Sequence, residues 1–286
     1  MEKGKEIIKN EETCINCLLC VKECISGVFD VQENKAVILH PEFCNRCSHC
    51  VSVCPVQAIA HGALDLSQVK KVDHTLIQAD AYAEIVKARR SIRHYQDQAV
   101  SRETIERLLS LSRYSPTASN DQNVEYMVIS DKALLGKISK RMFSYILKLD
   151  ALFSTSLGKR LRGRVKGKIL KYLDAVDFYK AEAEKGRDLV FHNAPILVLF
   201  LAPAKASFAE ANCNIAAANF VNYAFSMGLG TCFIGFLVFA LKMDRKIKAW
   251  IGVPAGKKVY ASVVLGYPEI THRYTPSRKP PKIIWK

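Results

Sequence analysis

No apolar run in this 286-residue chain reaches the roughly 18 residues that a membrane-spanning helix needs: APILVLFLA at 194–202 and CFIGFLVFAL at 232–241 are both too short. No membrane partner is expected. The opening residues MEKGKEIIKNEE lack the apolar core of a secretory signal, which points to a reducing cytoplasm as the working compartment. A dinucleotide fingerprint is missing too, because the glycines at 228, 230 and 235 miss G-x-G-x-x-G by two residues. Nor is there a carboxylate pair or Ser/His/Asp set suited to hydrolysis. Acidic residues are scarce: 27 Asp+Glu face 42 Lys+Arg, a formal charge of +15. The shortage is uneven, since residues 1–60 hold six Lys/Arg against eight Asp/Glu and the remainder 36 against 19.

Cysteine, by contrast, is plentiful and ordered. Eight of the ten form two C-x2-C-x2-C-x3-C quartets, Cys14, Cys17, Cys20 and Cys24, then Cys44, Cys47, Cys50 and Cys54. The offset is 30 at all four positions, an internal duplication that implies two equivalent sites. Three thiolates at this spacing can wrap one face of a cuboidal cluster, while the fourth, past the turn, points away and ligates the other. One [4Fe-4S] cluster is therefore expected on Cys14, Cys17, Cys20 and Cys54, and a second on Cys44, Cys47, Cys50 and Cys24. Structural zinc wants separated pairs, so a third Cys in each quartet has no tetrahedral task. Disulfides do not suit a reducing compartment. The pattern resembles the bacterial two-cluster ferredoxins over about the first 60 residues. Pro55 follows the second quartet as in that family, whereas Ile25 stands at the matching place in the first. His49, inside the second quartet, is read as an exposed loop residue rather than one that tunes the cluster.

The length allows more than one core, and two domains are expected. Each oxidised cluster with its four thiolates carries about −2, so the N-terminal part would sit near −6 beside a strongly positive remainder. Such a body can hold, or attract, an acidic electron carrier.

Residues 61–80 have weak periodicity and mixed charge and read as a linker. From Ala81 a helical pattern runs through Tyr82, Ile85 and Val86 into Arg89, Arg90, Ser91, Ile92 and Arg93, where three guanidinium groups and a hydroxyl can converge on one phosphate. The bland alternative for that run is a solvated helix end. Ser101 is a plausible N-cap for a helix ending near Arg113. The loop 115–123, SPTASNDQN, then leads into the strand EYMVI at 125–129, with Asn120 and Gln122 able both to donate and to accept hydrogen bonds. APILVLFLA reads as a strand buried on both faces. A helix from Glu210 to about Met227 follows, with Ile215, Ala216, Phe220, Val221 and Phe225 on its apolar side.

RRSIR at a helix end, SPTASNDQN before a strand, APILVLF, LGTCFIG at 229–235, and LGYP at 265–268 together resemble the nitroreductase family. The resemblance implies an α+β fold: a small ferredoxin-like two-cluster domain at 1–62, a linker at 63–80, and a nitroreductase-type α+β sandwich at 81–286 that dimerises around FMN. It implies that Arg89, Arg90, Ser91 and Arg93 hold the FMN phosphate and ribityl chain. Pro116, Thr117, Asn120 and Gln122 would contribute to the flavin site, chiefly that of the other subunit, and Ile234 with Gly235 would lie along the ring. Arg278 would return to the phosphate, in competition with Arg273 and Lys279.

The family pattern fades at 131–187, a basic helical insertion with eleven Lys/Arg between Lys137 and Lys171 and only Asp150 opposing them. A nucleic-acid partner is set aside because the run lacks a recognisable motif. A solvated face, a docking surface or a lid over the flavin remain as readings. Cys213 and Cys232 are read as buried small hydrophobes, and His192 as a core or cap residue. The expected function is an FMN-dependent oxidoreductase that takes electrons from an acidic ferredoxin or flavodoxin through two clusters and reduces a small organic acceptor such as a nitroaromatic, quinone or enone. The alternative is a non-catalytic electron-transfer module of a larger redox complex.

Overall fold

The duplication of the cysteine quartets reappears as a duplication of backbone conformation. In the computed structural model, which describes residues 7–155 and 173–286, non-glycine residues with left-handed φ stand 30 apart at Asn16 and Arg46 and at Leu18 and Ser48, and Gly27 is matched by Gln57. Left-handed backbone at a non-glycine residue costs about 1 kcal/mol or more. Its recurrence in both halves shows that the cysteine loops demand this curl. Each loop ends in one short helix turn, α1 (Leu19–Glu23) and α2 (His49–Val53).

The chain divides into two compact units, Met1–Gln78 with Thr117–Asp121, and Ala79–Pro116 with Gln122–Lys286. In the first, β1 (Ile7–Lys9) pairs antiparallel with β4 (Ile59–His61), closing its two ends, and β2 (Phe29–Gln32) forms a hairpin with β3 (Lys35–Ile38). Its small core joins Val28, Phe29, Ala36, Val51 and Ile59 to the cysteines themselves. The stretch expected as a linker carries two short turns at Leu66–Gln68 and His74–Leu76, capped by Asp65 and Asp73.

The second unit is built on an antiparallel sheet of order β5, β6, β8, β7: β5 (Glu125–Ile129), β6 (Ile196–Pro203), β7 (Gly230–Phe233) and β8 (Lys257–Gly266). β6 is buried along nearly its whole length because both faces are covered, as its unbroken apolar run requires. One face packs α4 (Arg102–Ser112) and α7 (Ala209–Ser226) around Phe200 and Phe220. The other packs α5 (Lys132–Ser154), α8 (Gly235–Met243) and α9 (Arg245–Ile251) around Leu197, Leu199 and Leu237. Ser101 caps α4, its Oγ accepting the Thr104 N–H at 3.1 Å. Ile215 and Phe225, expected on the apolar side of α7, are 40% and 36% exposed; the neighbouring Ala216, Ala217, Phe220, Val221 and Ala224 occupy the core.

Part of the basic insertion is accounted for by packing. In α5, Lys137 and Arg141 lie 4.1 and 5.5 Å from the Trp250 ring centroid, and Arg141 with Tyr145 engages the buried Asp244 carboxylate. A further helix, α6 (Val176–Glu184), follows. Residues 156–172, with most of the remaining basic positions, lie outside the described residues.

Candidate functional sites

In the first unit the thiols fall into two groups. Cys14, Cys17, Cys20 and Cys54 line one small cavity, walled by Leu18, Ala36 and Ile59. Around Cys50, whose thiol is pushed up to about 11 by burial first, the sulfurs close enough to add to that rise are those of Cys44, Cys47 and Cys24. Cys54 thus stands beside the first three cysteines, and Cys24 beside Cys50. Burial also raises the Cys20 thiol. Thiolates crowded in an apolar setting are stable only when iron neutralises them, which suits cluster ligation. Backbone N–H groups already aim at sulfur, from Arg46 to Cys44 at 3.3 Å and from Ala58 to Cys54 at 3.2 Å. His49 is exposed and faces Glu23 at 3.1 Å. The imidazole that reaches a ligand is His61, with Nε2 3.5 Å from Cys44 Sγ. Sequence reading passed over it, although the 30-residue offset, which places it opposite Val31, was an available signal. Within this unit Asn120 donates to the carbonyls of Asn45 and Arg46 at 3.3 and 2.9 Å, bracing the loop that carries Cys44 and Cys47.

In the second unit the helix α3 (Ala79–Ala88) delivers RRSIR alongside the β7 edge: Ile92 N–H donates to the Thr231 carbonyl at 2.9 Å, and Ser91 bridges Thr231. The approach requires Gly230, because a Cβ there would stand 2.8 Å from Ile92 Cγ1. Arg89 and Arg90 are half-buried, while Ser91 and Arg93 are exposed. Burial first, then the cationic neighbours Arg90 and Arg278, lowers the Arg89 guanidinium from its ordinary value. Arg278 therefore belongs to this cluster. One terminal nitrogen of Arg90, Nη2, is buried with no hydrogen-bond partner. Among the described residues none of these four arginines forms an ion pair, so the cluster is an uncompensated cationic cradle. Cys232, buried as expected, lies amid it: burial raises its thiol, and Arg93, Ser91 and Arg89 oppose that rise. His192 is pushed down to about 4, by burial first and then by Arg93, so it is neutral near pH 7. Ile234 is buried, its carbonyl held by the Ser262 hydroxyl at 2.7 Å, and a Cβ on the adjoining Gly235 would project into open space. Pro116 and Gln122 are exposed at the two junctions where the chain passes between units; Thr117 belongs with Asn120 to the first unit.

Residues 86–267 match the nitroreductase family, and residues 6–71 match the 4Fe-4S dicluster domain. The chain belongs to the nitroreductase family. This nitroreductase is 24% identical over 206 residues to a protein of Archaeoglobus fulgidus whose name pairs NADH dehydrogenase with NAD(P)H nitroreductase, covering 68% of this chain and 93% of that one. Its N-terminal part is 42% identical over 43 residues to a ferredoxin of Methanothermococcus thermolithotrophicus, covering 15% of this chain and 72% of the ferredoxin. The fold of the nitroreductase part is shared with two solved FMN-bound nitroreductases. One, from Bacteroides fragilis, has a TM-score of 0.50 at 23% identity and covers 71% of this chain and 98% of its own. The other, from Desulfitobacterium hafniense, has a TM-score of 0.53 at 19% identity and covers 73% and 99%. Among the described residues no helix is long and apolar enough to cross a membrane.

Proposed function

We propose that this nitroreductase is an FMN-dependent oxidoreductase that receives electrons through two [4Fe-4S] clusters and reduces a small organic acceptor such as a nitroaromatic, quinone or enone. The observation that carries this reading is the union in one chain of two cysteine quartets with an arginine cradle whose buried Arg90 nitrogen lacks an anionic partner. Clusters pass single electrons, whereas a bound flavin collects two and gives them up as a hydride equivalent. Cys14, Cys17, Cys20 and Cys54 would hold one cluster, and Cys44, Cys47, Cys50 and Cys24 the other. Arg89, Arg90, Ser91, Arg93 and Arg278 would neutralise the FMN phosphate, and Ile234 with Gly235 would leave a smooth floor for the ring. In a homodimer Pro116, Thr117 and Gln122 would face the second subunit's flavin, while Asn120, already bonded to the Cys44 loop, would brace that loop. The positive charge outside the first 60 residues would draw an acidic ferredoxin or flavodoxin as donor.

The test is an anaerobic turnover assay of nitro, quinone and enone acceptors with reduced ferredoxin or NADH as donor. Removing residues 1–62 should abolish carrier-driven turnover and leave FMN bound. The carrier-driven rate should fall as the Debye length shrinks from about 30 Å at 0.01 M to about 8 Å at 0.15 M salt. A truncated chain that uses NADH as well as the full chain uses ferredoxin would defeat the reading.

A further inference from the structure

The two cluster sites repeat one another in backbone, but not in what touches their sulfurs. His61 ends β4 with 4% of its surface exposed. Its Nδ1 accepts the Ala63 N–H at 3.1 Å, which assigns the ring proton of the neutral imidazole to Nε2. That nitrogen stands 3.5 Å from Cys44 Sγ, so the contact is an N–H···S bond donated to a ligand of the second site. The repeat maps Cys44 onto Cys14 and His61 onto Val31, whose side chain has no polar hydrogen and which is 41% exposed. Cys14 Sγ instead has the half-buried Asn16 Oδ1 at 3.6 Å. Even with that amide turned to donate, its dipole is partly screened by water, while the imidazole of His61 is not. Among the described residues each site also receives one backbone N–H, from Arg46 or from Ala58, so those bonds do not distinguish them.

A donor aimed at a cluster thiolate stabilises the more negative, reduced state, and hydrogen bonds to sulfur are among the terms that set cluster potentials. Resting on the ligand sets proposed above, we infer that His61 is a positioning residue that makes the cluster on Cys44, Cys47, Cys50 and Cys24 the higher-potential one. An electron entering the domain then comes to rest there. The exchange is one electron: one cluster is oxidised as the other is reduced, with no bond made or broken.

The experiment is an anaerobic redox titration of the full-length protein followed by EPR, with His61→Leu and His61→Gln beside the wild type. His61→Leu should lower the reduced-to-oxidised ratio of the second cluster about tenfold at a given potential, which for a one-electron couple is about 59 mV. The first cluster should not move. His61→Gln, which keeps an amide N–H, should restore most of the ratio. Both clusters shifting together, or neither shifting, overturns the inference. In wild-type protein labelled with 15N-histidine, pulsed EPR should find a coupled nitrogen on the cluster reduced first, retained in His49→Ala and lost in His61→Gln. That measurement decides the matter even if His61→Leu does not assemble, and no coupling overturns the inference while leaving the proposed function standing. Wild-type protein carrying fewer than two clusters overturns both.

Discussion

Replacing Arg89 and Arg278 together by Ala separates a phosphate site from a merely charged surface, because only a phosphate site predicts opposite effects in the protein without and with flavin. With no anion present, Arg89 is half-buried, and its like-charge neighbours Arg90 and Arg278 both oppose its charge. The double variant should therefore unfold at the same temperature as the flavin-free wild type, or slightly higher. With FMN bound the sign reverses. Each charge-assisted contact to phosphate contributes roughly 1.5 to 3 kcal/mol, so losing two weakens binding by about 3 to 6 kcal/mol, roughly 10²- to 10⁴-fold in Kd. The thermal stabilisation that FMN confers should shrink accordingly. Flavin fluorescence quenching measures the first effect, and thermal unfolding with and without FMN the second. Lys205→Ala with Lys242→Ala, which removes two exposed cations elsewhere, should change neither. Equal FMN affinity in both double variants would refute the argument.

Cys24→Ala should empty the site built by Cys44, Cys47 and Cys50 and spare the Cys14 site; EPR showing loss confined to the Cys14 site would overturn the crossed wiring. Gly230→Ala forces a Cβ to within 2.8 to 2.9 Å of three Ile92 carbons, so it should cost about 1 to 3 kcal/mol and lower FMN occupancy by pushing RRSIR off the β7 edge. An unchanged melting temperature would show that Ile92 moves freely. Asp244→Ala should cost about 3 kcal/mol in urea unfolding at pH 7, since it strips a buried carboxylate from Arg141 and uncaps α9. Arg141 holds the Asp244 carboxyl below its ordinary 3.8, so its stabilisation is present above that value and lost as pH falls through the lower folded one. The gap between wild type and variant should therefore be wide at pH 7 and narrow progressively below pH 3.8; a gap independent of pH would refute the ion pair's role.

Much of this protein was legible in its residues because the signals were periodic or local. An offset of 30 repeated at four cysteines needs no folding to be seen, and the apolar run in β6 and the Ser101 cap state their structure within a few residues. What the residues left open depended on approach between distant segments. Nothing near Arg278 names it over Arg273 or Lys279 as the neighbour of Arg89; the return of the C-terminal segment does. Cys232 reads as a small hydrophobe until β7 sets it among Arg89, Ser91 and Arg93, and Ile215 and Phe225 read as core until the helix is rotated by its packed alanines. His49 and His61 are alike on the line of sequence. The pairing of β1 with β4 buries the second and turns it onto Cys44, while the first stays in water, because only burial and register decide which of two equal donors a sulfur meets.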